Sequence, residues 1–201
     1  MRALELFSGT GSVRRMCESK GYQVTSLDIN IRTQADIICD ILKWNYREYP
    51  PNYFHLVWAS PDCTQYSKAK TRGIRDIEGA NKLVLKTLEI IRYFNPRTWI
   101  IENPQTGLLK YQKFMLNLPY YDADYCMYQY PYRKRTRFWT NQVGLKLKLC
   151  NKRCQSFKHG RHIGSCGSGY SNSKKYIQFK KDHKYSIPPA LLNILIPKFI
   201  L

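Results

Sequence analysis

The chain has 201 residues, 43% of them apolar and 14% aromatic, which suits one folded domain with a sizeable core. No apolar run approaches the roughly 18 residues that a membrane span needs, and no Pro/Gly/Ser-rich linker divides the chain. Lys and Arg number 33 against 14 Asp and Glu, a net charge of +19, so a polyanion is the expected partner. Nucleic acid is favoured over a membrane surface, because the basic residues interleave with Tyr and Phe and no segment joins the charge to a clean amphipathic helix. The excess is concentrated: residues 133–184 hold 15 Lys/Arg with Asp182 alone opposing them.

In chain order, "RALELF" reads as a short buried strand, broken by "SGTGS" and followed by "VRRMCESKGY", a helix ending at Gly21. "QVTSLDI" is a second strand, "ADIICDIL" follows, and "YFHLVWASP" is another buried strand. In residues 77–94, Val84, Leu88, Ile91 and Phe94 recur at helical spacing, and Pro96 ends that helix before the strand "TWIIEN". Strand and helix alternate, which predicts an α/β fold with a doubly wound, mostly parallel sheet and functional loops at the carboxyl ends of its strands. From Cys150 to about Lys184 the pattern gives way to Gly, Ser, Lys and Cys, an irregular insert before a last helix in "IPPALLNILIPKFI".

The opening "MRALELFSG" carries neither a cleavable apolar region nor an Arg/Ser-rich transit pattern, so an intracellular protein is expected. The seven cysteines are then thiols or metal ligands rather than a disulfide framework. Cys17, Cys39 and Cys126 read as buried small hydrophobes. Cys63 is different: it follows Pro61 on the loop after an apolar strand, where basic neighbours would favour its thiolate and its nucleophilicity. Glu102 lies directly behind Trp99, Ile100 and Ile101, partly desolvated and so disposed to hold and give a proton. "YRKRTRFW" sets Arg135 and Arg137 at alternating positions, on one face of a strand if extended.

"LELFSGTGSV" is a strand, a Gly-rich turn and a helix start, in which Gly9 and Gly11 permit a tight turn and close approach of a ligand. It has neither the third glycine of the dinucleotide fingerprint nor the Lys-Ser/Thr of a phosphate loop. Asp28, ending the next strand, can accept bonds from ribose hydroxyls, and Asp40 can read an adenine amino group, so a nucleoside-containing cofactor fits. Taken singly, each acid reads first as a loop or cap residue. In the insert, Cys150, Cys154, His162 (or His159) and Cys166 form a candidate structural zinc site, set against unligated thiols in a basic loop.

The run Phe7-Ser8-Gly9-Thr10-Gly11, Asp28, Ser60-Pro61-Asp62-Cys63, Glu102-Asn103 and Arg135-Thr136-Arg137 resembles the ordered motifs of the cytosine-C5 DNA methyltransferases. "WASPDCTQYS", "ENPQTGLLK" and "YRKRTRFWTN" are most similar to the compact enzymes of phages and large DNA viruses, iridoviruses especially. The resemblance covers about residues 2–141 and returns at "YSIPPALL". It implies a catalytic domain of residues 1–141 and 185–201 and a compact basic target-recognition insert at 142–184. It also implies methyl transfer from S-adenosylmethionine to a flipped cytosine in duplex DNA, by a monomer acting, if viral, in the host nucleus or cytoplasm.

The implied roles are Cys63 as nucleophile at C6, Glu102 as acid partner at N3, and Arg135 and Arg137 at the base oxygen. Phe7 to Gly11, Asp28 with Ile29, Asp40 with Ile41, and Pro61 would line the cofactor. Three departures stand out: Asp62 replaces a second proline before the nucleophile, "ENP" replaces "ENV", and Arg133 stands where glutamine is usual. A carboxylate at Asp62 is expected to raise the thiol pKa unless an arginine neutralises it. Two rival readings keep the fold: a lapsed enzyme that only binds DNA, and an RNA cytosine methyltransferase. A zinc deaminase is discounted, because its His-x-Glu and Pro-Cys-x-x-Cys signature is missing.

Overall fold

The computed structural model describes residues 1–165 and 181–198. Five parallel strands begin the chain's sheet: β1 (Arg2–Leu6), β2 (Gln23–Asp28), β3 (Ile37–Ile38), β4 (Leu56–Ala59) and β5 (Thr98–Pro104). Two helices connect them: α1 (Ser12–Ser19) after β1, and α2 (Ile77–Phe94) before β5. Asp76 accepts the Gly79 amide at 2.7 Å to cap α2, and Asn95 closes it in the left-handed conformation ahead of Pro96. Every strand and helix expected from the alternation is present.

The sheet runs β3-β2-β1-β4-β5-β7-β6, where β6 is Tyr120–Asp124 and β7 is Arg135–Thr140. β7 lies antiparallel between β5 and β6. The strand order reverses between β1 and β4, so the crevice beyond their carboxyl ends is the topological switch point, the usual place for a ligand in such a sheet. The loops after these two strands are Phe7–Gly11 and Ser60–Cys63.

The alternation along the strands builds two cores. Leu4, Leu6, Val57, Ala59 and Ile101 face Val84, Leu88, Ile91 and Phe94 of α2. Ala3, Leu56, Trp58 and Ile100 face α1 and the final helix α4 (Pro189–Leu195) through Val13, Cys17, Leu191, Leu192 and Leu195. Lys20 Nζ donates to the Asn193 and Ile196 carbonyls and Tyr22 Oη to the Pro197 carbonyl, which fastens the end of the described chain onto α1. The insert contributes a small hairpin, β8 (Phe157–Lys158) and β9 (Arg161–His162), and α3 (Lys181–Tyr185) leads into α4. Cys166 lies outside the described residues. Among the described residues no helix is long and apolar enough to cross a membrane.

Candidate active site

The loop after β1 turns sharply because Phe7, Gly9 and Gly11 all take positive φ (60°, 49° and 66°). A side chain pays for that conformation by roughly 1–2 kcal/mol, so Phe7 is held there by its surroundings. The Asp28 carboxylate at the tip of β2 supplies part of the hold: it accepts the Gly9 amide at 3.0 Å and the Asn30 amide at 2.8 Å. The Ser8 amide donates to the Leu27 carbonyl at 3.2 Å. Ser8 Oγ is buried and has no hydrogen-bond partner among the described residues.

Asp40 sits beside Asp28 because β2 pairs with β3, and the Cys39 amide donates to the Asp28 carbonyl at 3.0 Å. The Leu42 amide donates to Asp40 Oδ1 at 3.0 Å. Ile29 is 69% exposed at the strand tip, an apolar surface next to the glycine loop, whereas the Ile41 side chain is 3% exposed and belongs to the core. Only the main chain of Ile41 is left to meet a ligand.

Pro61 and Cys63 follow β4. Asn103 on β5 donates Nδ2 to the Pro61 carbonyl at 2.9 Å, which ties the cysteine loop to the neighbouring strand; at 1% exposure, Asn103 is a structural part of the site. Asp62 turns onto Thr64, accepting its amide at 3.1 Å and its hydroxyl at 2.7 Å. Burial pushes the Cys63 thiol up to about 11, with the Glu102 and Asp62 charges adding to it and Lys134 opposing. The expectation that basic neighbours favour the thiolate is therefore corrected for the free protein: desolvation and two carboxylates outweigh one ammonium. The expected influence of Asp62 has the anticipated sign.

Glu102 is 7% exposed. Its Oε1 accepts the Tyr125 hydroxyl at 3.4 Å and lies 4.0 Å from Lys134 Nζ, which also stands over the Tyr125 ring at 5.0 Å. Glu102 pairs across the sheet with Phe138, and Asn103 with Arg137. Partners directly opposite share a face, so Glu102 lies with Phe138 and Thr136, and Arg135 and Arg137 lie on the other side. Arg135 grips Asp124 at 3.0 and 2.7 Å; Arg137 grips Asp122 at 2.8 and 2.9 Å and covers the Tyr120 ring at 3.5 Å. The two arginines share a face, as the alternation predicts. They are not brought to Glu102, and the cation beside it is Lys134.

Lys134 and Tyr125 escaped the sequence reading as site residues, and Asn103, though within the Glu102-Asn103 motif, was given no role there. The signal for Lys134 was present: the alternation that sets Arg135 and Arg137 on one face sets Lys134, Thr136 and Phe138 on the opposite one. Tyr125 had no such signal, since it meets Glu102 only through the order β5-β7-β6.

In the insert, Cys150 Sγ and His162 Nε2 are 3.4 Å apart, with Cys154 in the same group. The fourth member is Cys126, expected as a plain core thiol. It is buried, but it lies in this cluster. His159 stands in the hairpin turn with φ 50° and is exposed.

The order β3-β2-β1-β4-β5-β7-β6, reversing beside the glycine loop, is a Rossmann-like fold, and its neighbours among solved structures are methyltransferases. The solved structures agree at the level of fold: the methyltransferase EhMeth of Entamoeba histolytica (TM-score 0.54, 20% identity, 75% of this chain and 55% of that one) and the Dnmt2 methyltransferase of S. pombe (TM-score 0.52, 18% identity, 74% and 51%). The chain thus spans about half the length of these structures. No protein-family model matches it. Among curated proteins, the "Probable DNA (cytosine-5)-methyltransferase" of Frog virus 3 (isolate Goorha) is 33% identical over 219 aligned positions, covering 98% of this chain and 99% of the relative. The chain belongs to the DNA (cytosine-5)-methyltransferase family.

Proposed function

We propose that this protein methylates C5 of cytosine in duplex DNA, with S-adenosylmethionine as methyl donor and Cys63 as nucleophile. The observation that carries the reading is the convergence of Cys63, Glu102 and Lys134 at the carboxyl ends of β4 and β5, beside the switch-point crevice that holds the Phe7–Gly11 loop. The crevice suits the donor: Ser8 Oγ is an unpartnered buried hydroxyl, the loop glycines let a ligand approach the backbone, and exposed Ile29 offers an apolar face between Asp28 and Asp40. Asp28 would hold ribose hydroxyls, Asp40 an adenine amino group, and Phe7 to Gly11 with Pro61 would line the rest. When bound, the cofactor supplies an electrophilic methyl group.

The protein's own residues supply the activation. Cys63 Sγ adds to C6 of the base, which breaks the ring's aromaticity and makes C5 nucleophilic. A thiol held up to about 11 is protonated at neutral pH, so its proton must leave as the S–C bond forms. Glu102 is placed to accept that proton and pass it to N3, where negative charge would otherwise develop. Lys134 stabilises the carboxylate and opposes the two acids acting on the thiol. After methylation the C5 proton is removed, its electron pair restores the C5–C6 double bond, and Cys63 departs as thiolate. The base must leave the duplex stack for this chemistry, and the basic residues from Arg133 onward would hold the opened strand through its phosphates.

The test is incubation with labelled S-adenosylmethionine and a duplex containing 5-fluorocytosine, followed by mass spectrometry of the peptides. Fluorine cannot leave as a proton does, so a methylated adduct on the Cys63 peptide is expected. Binding of both DNA and cofactor with no adduct would overturn the proposed reaction.

A further inference from the structure

Outside the cleft, the densest group of potential ligands is Cys126, Cys150, Cys154 and His162, whose ligating atoms all lie within 4.8 Å of one another. Cys126 is in the turn after β6, Cys150 and Cys154 are in the loop beyond β7, and His162 is on β9. Cys150, Cys154 and His162 are close in sequence, and the fold adds Cys126 to them. We infer that these four residues bind one structural zinc ion that staples the insert to the edge of the catalytic sheet.

The geometry is close to what such a site needs. With Zn–S near 2.3 Å and Zn–N near 2.0 Å, a tetrahedron has S–S edges of about 3.8 Å and S–N edges of about 3.6 Å. Cys150 Sγ and His162 Nε2 are already at 3.4 Å, and no atom of the four needs to move far. The three cysteines are free thiols rather than disulfide partners. Three thiolates and an imidazole form a closed N/S set that favours zinc over hard cations and leaves no open coordination position, which marks the site as structural rather than catalytic.

The surroundings are organised for the same end. The Lys152 amide donates to Cys150 Sγ at 3.3 Å, made possible by the left-handed φ of 68° at Lys152, so the sulfur has a backbone donor. The His162 ring packs edge-on against Phe157 across the hairpin, with centroids 5.3 Å apart. The Cys150 amide donates to Asp124 at 2.7 Å, and Asp124 is the same carboxylate that grips Arg135. The cluster is therefore joined to β6 and β7 on two sides. The described part of the insert has two two-residue strands and most of the five-residue α3 as its regular structure, too little to bury a core of its own, and a metal link supplies what packing does not.

The experiment measures zinc content of the full-length chain purified from zinc-replete medium, together with native-state alkylation mapped by peptide mass spectrometry, with and without a chelator. One zinc per chain is expected, with Cys126, Cys150 and Cys154 protected until the chelator removes it, and with Cys166 modified equally in both conditions. Cys126→Ser should lose the metal and Cys166→Ser should keep it. Because Cys126→Ser is buried and can fail to fold, cobalt is also titrated into the metal-free natural chain, where tetrahedral visible bands with thiolate charge transfer are expected. Substoichiometric zinc with all thiols reduced, chelator-dependent protection of Cys166 in place of Cys126, or absence of the tetrahedral cobalt spectrum would each overturn the assignment.

Discussion

Lys134 Nζ stands 4.0 Å from Glu102 Oε1 while the two arginines that follow it in sequence turn to the opposite face of the sheet and are held by Asp122 and Asp124. Lys134 also donates to the Lys184 carbonyl at 3.4 Å, so the last described segment is connected to the same ammonium.

Replacing Lys134 by Met removes a cation that lowers the Cys63 thiol, so the pH at which the thiol reacts should move upward. Adduct formation with a 5-fluorocytosine duplex at pH 7.5 should slow by about tenfold, and Lys134→Arg should recover much of it. An unchanged pH profile in Lys134→Met would show that Lys134 serves only as a phosphate contact.

Glu102→Gln separates two effects that otherwise travel together. Removal of the carboxylate lowers the thiol pKa, so alkylation of Cys63 by iodoacetamide at pH 8 should quicken. Methyl transfer should nevertheless fall by about 10²–10³-fold, since the donor at N3 is lost. Slower alkylation in this variant would contradict the electrostatic account of the thiol.

Arg135 reads as a structural residue here. Although burial pushes the Asp124 carboxyl up, the Arg135 fork and the Cys150 amide hold it below its ordinary range, and its side chain is 0% exposed. Arg135→Ala leaves that carboxylate without its main partner and should cost about 3 kcal/mol, near the lower end for a broken buried pair because Arg133 remains at 3.7 Å. Urea unfolding measures the loss, and adding Asp124→Asn should return part of it. A stable Arg135→Ala protein that binds DNA but does not methylate it would instead assign Arg135 to the substrate base.

Glu5 gives the fold a pH dependence of its own. It lies on β1 beneath α1, and burial raises its carboxyl from 4.5 to about 8, against the opposing effects of the Arg14 backbone and the Arg14 and Arg15 charges. Between those two values the folded protein keeps a proton that the unfolded chain has released, so stability should fall as pH rises from about 4.5 to about 8 and level off above. In Glu5→Gln this decline should be largely absent. Melting temperatures of both proteins across pH 5 to 9 provide the check, and parallel curves would mean that Glu5 is ionised in the folded state.

Local pattern was enough to locate β1, β2, β4, β5, α1, α2 and the order of the motifs, but not β6 or the β8–β9 hairpin. Apolar runs and helical spacing are properties of neighbouring residues, and Phe7 to Gly11, Asp28, Asp40 and Cys63 stand at or just beyond strand ends because the runs before them end there, while Glu102 lies within the last rungs of the β5 ladder, opposite Phe138. Local pattern also put Arg135 and Arg137 on a common face. Which strand lies beside which is set by burial between distant segments, and that decided the rest. The insertion of β7 between β5 and β6, with Glu102 opposite Phe138, brought Lys134 and Tyr125 to the acid and sent the arginines to Asp122 and Asp124. The same sheet edge drew Cys126 out of an apparently ordinary core position and into the Cys150, Cys154 and His162 cluster. The thiol of Cys63 followed the same rule: its charged neighbours are visible in sequence, but its burial, the larger influence, exists only once the loops have packed.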